Sequence, residues 1–275
     1  MSAIFRCSPA LAMRRCGARL GQQSSRAGPS NFSMSAIARC APARALRRCG
    51  ARLGHSSAAF DLARCRTEIA ERHASEMGGR AGPAWEAPGA AWHWLDRELS
   101  SNLAGETGAV AIYDGAAAGL RLRAAAGIGG SSEPAALGFI REHRAAEAAH
   151  LALFEALLPE GKRTRLLPVW RVAGFALGFA PACVSPRALF VTVEAVETFV
   201  EEHYLAQITP LRLEGRAPEL ARLLEHCCEE EVHHRHDAAR RAAADGAASH
   251  TLVEGGWAAV VRAGSAVAAE CARRL

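Results

Sequence analysis

Two Glu-x-x-His quartets, Glu147–His150 and Glu231–His234, stand 84 positions apart on two long helix-forming stretches. A helix turns about 100° per residue, so residues three apart share a face, and each quartet aims a carboxylate and an imidazole at one spot. One copy is common by chance, whereas two copies on separate helices are a stronger signal. Helical steps from Glu231 meet Leu223, Leu224, Cys227, Cys228, His234, Ala238 and Ala242, a face that is apolar apart from the candidate pair. The competing pair, Glu230 and His233, shares its face with His226, Asp237 and Arg241 and reads as solvated. Glu147 shares its side with Phe139, Ile140, His150, Leu151, Phe154 and Leu158, with His143 and Arg144 as polar exceptions. Burying acids and imidazoles on apolar faces is costly unless their charge is offset, and metal ions offset it.

Two Glu-x-x-His helices plus one glutamate from each of two others is the arrangement of di-metal carboxylate sites in helix-bundle cores. The sequence offers both lone glutamates. Glu106 has Leu99, Leu103, Ala109, Val110 and Tyr113 at helical steps, and Glu197 has Phe190, Val193, Val200, Tyr204 and Ile208. Glu194 and Glu201 lie on nearly the same side as Glu197. Four carboxylates would balance two divalent ions, and an oxygen-rich set with two imidazoles suits iron or manganese better than zinc. Taken alone, Glu231 and His234 read equally well as a solvated helix face. A zinc site built from His226, Cys227, Cys228, His233 and His236 fits poorly, because adjacent cysteines diverge on a helix.

The rest of the chain agrees with an all-α fold, a bundle of long helices. Alanine is abundant, aromatics are only 6% of residues, and no segment alternates at period two. Breakers fence helical stretches at about 92–123, 133–158, 186–208, 217–244 and 249–274, with a further short helix at 61–77. Residues 78–91 form a Gly/Pro/Ala linker. Leu166–Val184 is apolar for about the length of a membrane span, but Arg171, Pro168 and Pro181 interrupt it. It reads as a short helix or helix pair lying on a membrane surface, with a buried core segment as the alternative.

Residues 1–60 stand apart. The segment 1–21 returns at 34–54 with 17 of 21 positions identical, and the 60 residues hold ten arginines and no acid. Arginine-rich, serine-containing, acid-free sequence is the composition of an organelle presequence, here a duplicated mitochondrial one, disordered and removed. The alternatives are a disordered basic tail, or a gene-model artefact with Met34 as the real start. Without those arginines the body holds 23 basic against 28 acidic residues, so the overall +5 does not mark a nucleic-acid surface. Five cysteines lie outside the repeat with no CxxC pair, which argues for a reducing compartment. The expected organisation is presequence 1–60, linker 61–91 and catalytic domain 92–275.

The motifs resemble those of the demethoxyubiquinone hydroxylases, the di-iron monooxygenases of ubiquinone biosynthesis. "LDRELSSNLAGETGAVAIYDG" is similar to the family's first-helix motif, "LLPVWRVAGFALG" to its apolar linker, "AVETFVEEHYLAQI" to its third-helix motif and "EEEVHH" to its last. The likeness covers about residues 95–275. It implies a ferritin-like four-helix bundle with short membrane-interfacial helices and a C-terminal helix. It implies iron ligands Glu106, Glu147, His150, Glu197, Glu231 and His234, with His203 and Tyr204 near the metals. It further implies insertion of one O2-derived oxygen into the quinone ring, with NADH as reductant. Leu167, Trp170, Phe175, Leu177 and Phe179 would meet the membrane and admit a polyprenyl quinone. A lipid-binding partner protein and a peripheral place on the matrix side of the mitochondrial inner membrane complete the expectation. Leu103 and Thr107 depart from the family's usual residues beside Glu106, and Glu202 from its usual histidine. A ferritin-like iron-oxidising or storage protein is the alternative.

Overall fold

The computed structural model describes residues 60–78, 84–87, 89–244 and 250–275. The expected presequence, residues 1–60, therefore lies outside the described residues, apart from Phe60. Among the described residues there are seven α-helices and no strand. They are α1 (Leu62–Glu76), α2 (Trp94–Ala125), α3 (Glu133–Leu157), α4 (Leu167–Val184), α5 (Pro186–Glu214), α6 (Pro218–Ala244) and α7 (Leu252–Arg274), with a 3₁₀ turn at Glu160–Lys162.

Local chemistry starts and stops these helices. Ser185 accepts from the Ala188 amide and Pro186 occupies the first turn of α5, so the break after α4 is both a cap and a restart. Thr251 and Glu254 form a reciprocal capping box at the start of α7. The helix expected to end near Ile208 instead runs on to Glu214. Pro210 removes one backbone donor, but buried Leu211 anchors the last turn, and Gly215 at φ +66° ends it.

Residues 61–91, expected as a linker, contribute core side chains. Cys65 and Ile69 of α1 are buried in the same cluster as Leu99, Phe154 and Leu224. Glu68 of α1 accepts from the Glu219 and Leu220 amides at 3.1 and 3.0 Å, supplying the anion that the open N-terminus of α6 favours. Trp85 is buried and donates to Asp96 at 2.6 Å. Asp96 also pairs with buried Lys162 at 2.9 Å, and that ammonium donates to the Ala91 carbonyl at 2.6 Å. The short helix at 61–77 was legible, but the partners that anchor it and the Gly/Pro-rich stretch after it are distant in the chain.

The segment 166–184 is one helix, neither a pair nor a core segment. Its small residues Gly174, Gly178, Pro181 and Ala182 are buried, whereas Val169, Val172, Phe175 and Val184 are exposed. It is long and apolar enough to cross a membrane by length and composition alone. Glycines of both helices line the contact between α2 and α4. A Cβ on Gly178 would overlap the Ile112 carbonyl, one on Gly115 the Phe175 carbonyl, and one on Gly174 the Gly108 carbonyl. The two backbones therefore approach as closely as glycine allows. Gly178→Ala is expected to lower stability by about 1–3 kcal/mol through overpacking. Gly138→Ala, where a Cβ meets nothing, is expected to raise it by up to about 1 kcal/mol. Thermal melts of the two variants check this; a neutral Gly178→Ala would contradict the close seam.

Candidate metal centre

Four helices carry the acidic and imidazole side chains inward. Glu106 sits on α2, Glu147 and His150 on α3, Glu197 on α5, and Glu231 and His234 on α6, and all six are buried. Their ligand atoms form two overlapping groups. Glu106, Glu147, His150 and Glu231 offer atoms within 4.8 Å of one another, and so do Glu147, Glu197, Glu231 and His234. Glu147 and Glu231 belong to both groups. The arrangement thus offers two adjacent candidate cation positions that share two carboxylates, each with one further glutamate and one histidine.

Direct contacts tie the halves together. His150 Nδ1 lies 2.9 Å from Glu231 Oε1, and His234 Nδ1 lies 3.0 Å from Glu231 Oε2. His234 Nδ1 is also 3.1 Å from Glu147 Oε1, though outside hydrogen-bonding geometry, so that oxygen is buried without a hydrogen-bond partner among the described residues. The Tyr204 hydroxyl donates to Glu106 Oε1 at 2.6 Å. Burial, and then the neighbouring carboxylates, push Glu197 well above the usual carboxylate range. Burial does the same to Glu106, only partly countered by His150. For Glu231, burial is outweighed by His150 and His234, which hold it below that range. Burial alone would lower both imidazoles, but Glu230 and Glu231 hold His150 above its ordinary value, and Glu147 and Glu231 do so for His234.

Without cations, the cluster can reduce its negative charge only by keeping protons on buried groups. Its donors are four carboxylates and two imidazoles, the set that suits two iron or manganese ions. The residues present therefore fit a di-metal centre.

Glu230 and Asp237 differ from the expectation that their face is solvated. Glu230 is only half-buried, yet its Oε2 lies 2.6 Å from His150 Nε2. Asp237 is buried, with Oδ2 3.0 Å from His143 Nε2. The His143 ring meets that of His234 edge-on, with centroids 4.3 Å apart. The physical reason is reach: a glutamate one position before Glu231 stands about 100° round the helix, yet its side chain still spans the gap to α3. His143 lies seven residues before His150 on the same face, which was the one available signal. His233 and His236 are exposed.

A cavity of about 460 Å³ ends on the cluster, with Glu106, Glu147, Glu197 and Glu231 among its lining residues. Its wall is apolar and comes from α2, α4, α5 and α7. Val169 on α4 and Val260 on α7 both line it and are both exposed, which puts its mouth between those two helices. Trp170 and Leu177 line it too. Leu167 instead packs against the core, and Phe175 stacks on Phe179 at 5.8 Å, with Phe175 exposed. His203 lines the cavity and contacts none of the six clustered residues by hydrogen bond, unlike Tyr204. The part played by α7 was not legible in the sequence, because nothing local marks its Trp257 and Val260 as a cavity wall.

An all-α bundle with paired Glu-x-x-His helices and two further inward glutamates is the architecture of the di-metal carboxylate proteins. Residues 93–272 match the family described as "Ubiquinone biosynthesis protein COQ7", and the chain belongs to that family. It is 37% identical over 115 residues to a 3-demethoxyubiquinol 3-hydroxylase of Rhodospirillum rubrum, covering 41% of this chain and 50% of the relative. It is 36% identical over 124 residues to the mitochondrial NADPH-dependent 3-demethoxyubiquinone 3-hydroxylase of Dictyostelium discoideum, covering 44% and 52%. With the human protein of that name the identity is 30% over 142 residues, covering 50% and 60%. The chain spans about half the length of the curated relatives it matches.

Two outcomes follow. Glu230→Gln is expected to weaken ferrous-iron affinity about 10- to 100-fold through loss of the group that orients His150, whereas Glu229→Gln, at an exposed position, leaves it unchanged. Equal iron titrations for both variants would contradict that role. The metal-free protein is expected to lose stability as pH rises through the neutral range. Glu106 and Glu197 (raised carboxyls) and His150 and His234 (raised imidazoles) all bind protons more tightly folded than unfolded there, so unfolding is favoured as protons leave. His143 and His203, lowered to about 4, act the other way only up to the ordinary imidazole value, so melts of metal-free protein at pH 7.5 and pH 9 check the sign, and a higher melting temperature at pH 9 would contradict it.

Proposed function

We propose that the chain hydroxylates a demethoxyubiquinone-type quinone or quinol ring at a di-iron centre, as a step of ubiquinone biosynthesis. The observation that carries this is the cavity: an apolar channel of about 460 Å³ whose end is formed by four clustered carboxylates. That volume lies in the range of small-molecule sites, so it accommodates a quinone ring, with a prenyl tail trailing to the mouth. An iron store handling hydrated ions has no use for such a channel, so the storage reading is the weaker one.

The proposed ligands are Glu106, Glu147, His150, Glu197, Glu231 and His234, with Glu147 and Glu231 shared. Bound there, two iron ions would supply activation of O2, chemistry that protein side chains lack. The chain's own contribution is geometric and electrostatic. Tyr204 fixes Glu106 by donating to it. Glu230 orients His150, and the His143–Asp237 pair packs against His234. The apolar walls keep bulk water from the ring. Electrons would come from a reduced nicotinamide nucleotide. The resemblance implied NADH, whereas two relatives are named NADPH-dependent, and assays with each nucleotide decide between them.

The exposed apolar residues of α4 would rest in a membrane, so that the tail enters from lipid between α4 and α7. Leu167, Trp170, Phe175, Leu177 and Phe179 remain the proposed membrane and entry residues. By analogy with the named mitochondrial relatives, we place the chain in mitochondria, peripheral to the inner membrane on the matrix side, with residues 1–60 as its presequence and a lipid-binding pathway protein as partner.

Complementation is the test. In cells lacking demethoxyubiquinone hydroxylase, the chain is expected to convert accumulated demethoxyubiquinone to ubiquinone, and Glu147→Gln is expected not to. Restored growth without ubiquinone would contradict the proposal. Val172→Asp with Phe175→Asp is expected to cut flotation with anionic vesicles at least several-fold, since each buried apolar side chain contributes about 1.5–3 kcal/mol.

A further inference from the structure

His203 has an unusual set of neighbours. It is 9% exposed, lines the cavity and stacks on Phe199, another lining residue, with centroids 5.7 Å apart. Arg273, in the last turn of α7, brings Nη2 to 3.0 Å from His203 Nδ1. The Arg273 guanidinium is held in turn by Glu98 of α2, with Nε 2.9 Å from Oε1, and by Glu270, with Nη1 3.1 Å from Oε2. Glu98 Oε2 is 3.9 Å from His203 Nδ1, too far for a hydrogen bond. His203 Nε2 is buried and has no hydrogen-bond partner among the described residues.

A guanidinium only donates hydrogen bonds. The nitrogen facing it must therefore present a lone pair, which leaves the single proton of a neutral imidazole on Nε2. Burial, reinforced by the Arg273 charge, lowers the His203 pKa to about 4, so the ring is neutral at physiological pH. An N–H donor without a partner is costly to bury. The cavity wall is mostly apolar, and of its other polar residues Ser101 is bonded to the Ala269 carbonyl and Asn102 to Gln207, so the unpartnered Nε2–H is a feature that can tell an oxygenated ring from a hydrocarbon.

We propose that His203 Nε2–H donates a hydrogen bond to a ring oxygen of the bound quinone or quinol, and that Arg273, anchored by Glu98, is the positioning residue that fixes this tautomer. The inference rests on the quinone reading of the cavity. A carbonyl, hydroxyl or methoxy oxygen can each accept, so the contact is available in both redox states of the ring. It fixes which ring edge enters, while the apolar wall holds the tail without orienting it. The last turn of α7 thus sets substrate orientation from the far end of the chain, 70 residues from the histidine it acts on.

The experiment has two readouts. In 15N-histidine-labelled, metal-free full-length protein, the resonance assigned by its loss in His203→Gln is expected to report protonated Nε2 and bare Nδ1. Arg273→Met combined with Glu98→Gln, which leaves no buried charge unpaired, is expected to give a mixture of tautomers. Binding is read from tryptophan fluorescence, since Trp170 and Trp257 line the cavity. The probes are a prenylated methoxybenzoquinone and, by displacement, a toluene with the same tail. His203→Phe, which keeps the stacking ring, is expected to weaken the quinone about 3- to 10-fold and leave the toluene unchanged. His203→Gln, whose amide can donate from the same place, is expected to recover most of that loss. A proton on Nδ1, or equal losses for both probes in His203→Phe, overturns the inference while the quinone reading stands. A wild-type chain that binds neither probe overturns the quinone reading and this inference with it.

Discussion

Four carboxylates and two imidazoles sharing one dry space is the arrangement on which the rest of the structure depends. Each of α2, α3, α5 and α6 must present its acid at the same level of the bundle, or that acid is buried alone at a cost of several kcal/mol. This requirement ties helix register to charge. It explains why the surrounding faces are close-packed Leu, Phe and Ala, and why the neighbours that are polar make specific bonds. Tyr204 meets Glu106, Glu230 meets His150, and Asp237 meets His143, which packs on His234. The folded chain is thus prepared for positive charge at its centre.

Around that centre the outer helices divide the remaining work. The glycine seam draws α4 onto α2 so closely that small residues fill the contact. The large apolar side chains of α4 are left for the cavity wall and the outer surface. α7 closes the opposite wall and is fastened at both ends. Arg187 pairs with Glu254 near its start, and Arg273 pairs with Glu98 near its finish. α1 stands outside this division; it caps α6 with Glu68 and extends the core near the helix that carries Glu231.

Much of this was legible in the sequence, for identifiable reasons. The helical stretches are long and fenced by Gly, Pro and Ser, so their existence and order could be read. Glu147, His150, Glu231 and His234 announce themselves by period and Glu106 by the apolar face around it, whereas Glu197 was separated from Glu194 and Glu201 only by the family resemblance. What escaped depends on contacts between distant segments. Glu230 looked solvated because helix periodicity says where a Cβ points, not how far a glutamate reaches. Trp85 and Lys162 looked like linker and turn residues because the buried network that joins them through Asp96 links three separate parts of the chain. Pro210 looked like a helix end, but buried Leu211 and Gly215 decided the end instead. Arg273 was unreadable for the same reason, as nothing near it in the chain hints at His203.

The central claim is that the cluster is a two-metal site at the end of an apolar channel. Anaerobic titration of the purified chain with ferrous iron, followed by removal of free metal and direct metal analysis, tests it most directly. Two ions are expected to be retained per chain, with none in Glu231→Ala. Retention of no stoichiometric iron by the folded wild-type chain, or equal retention by the variant, would contradict it.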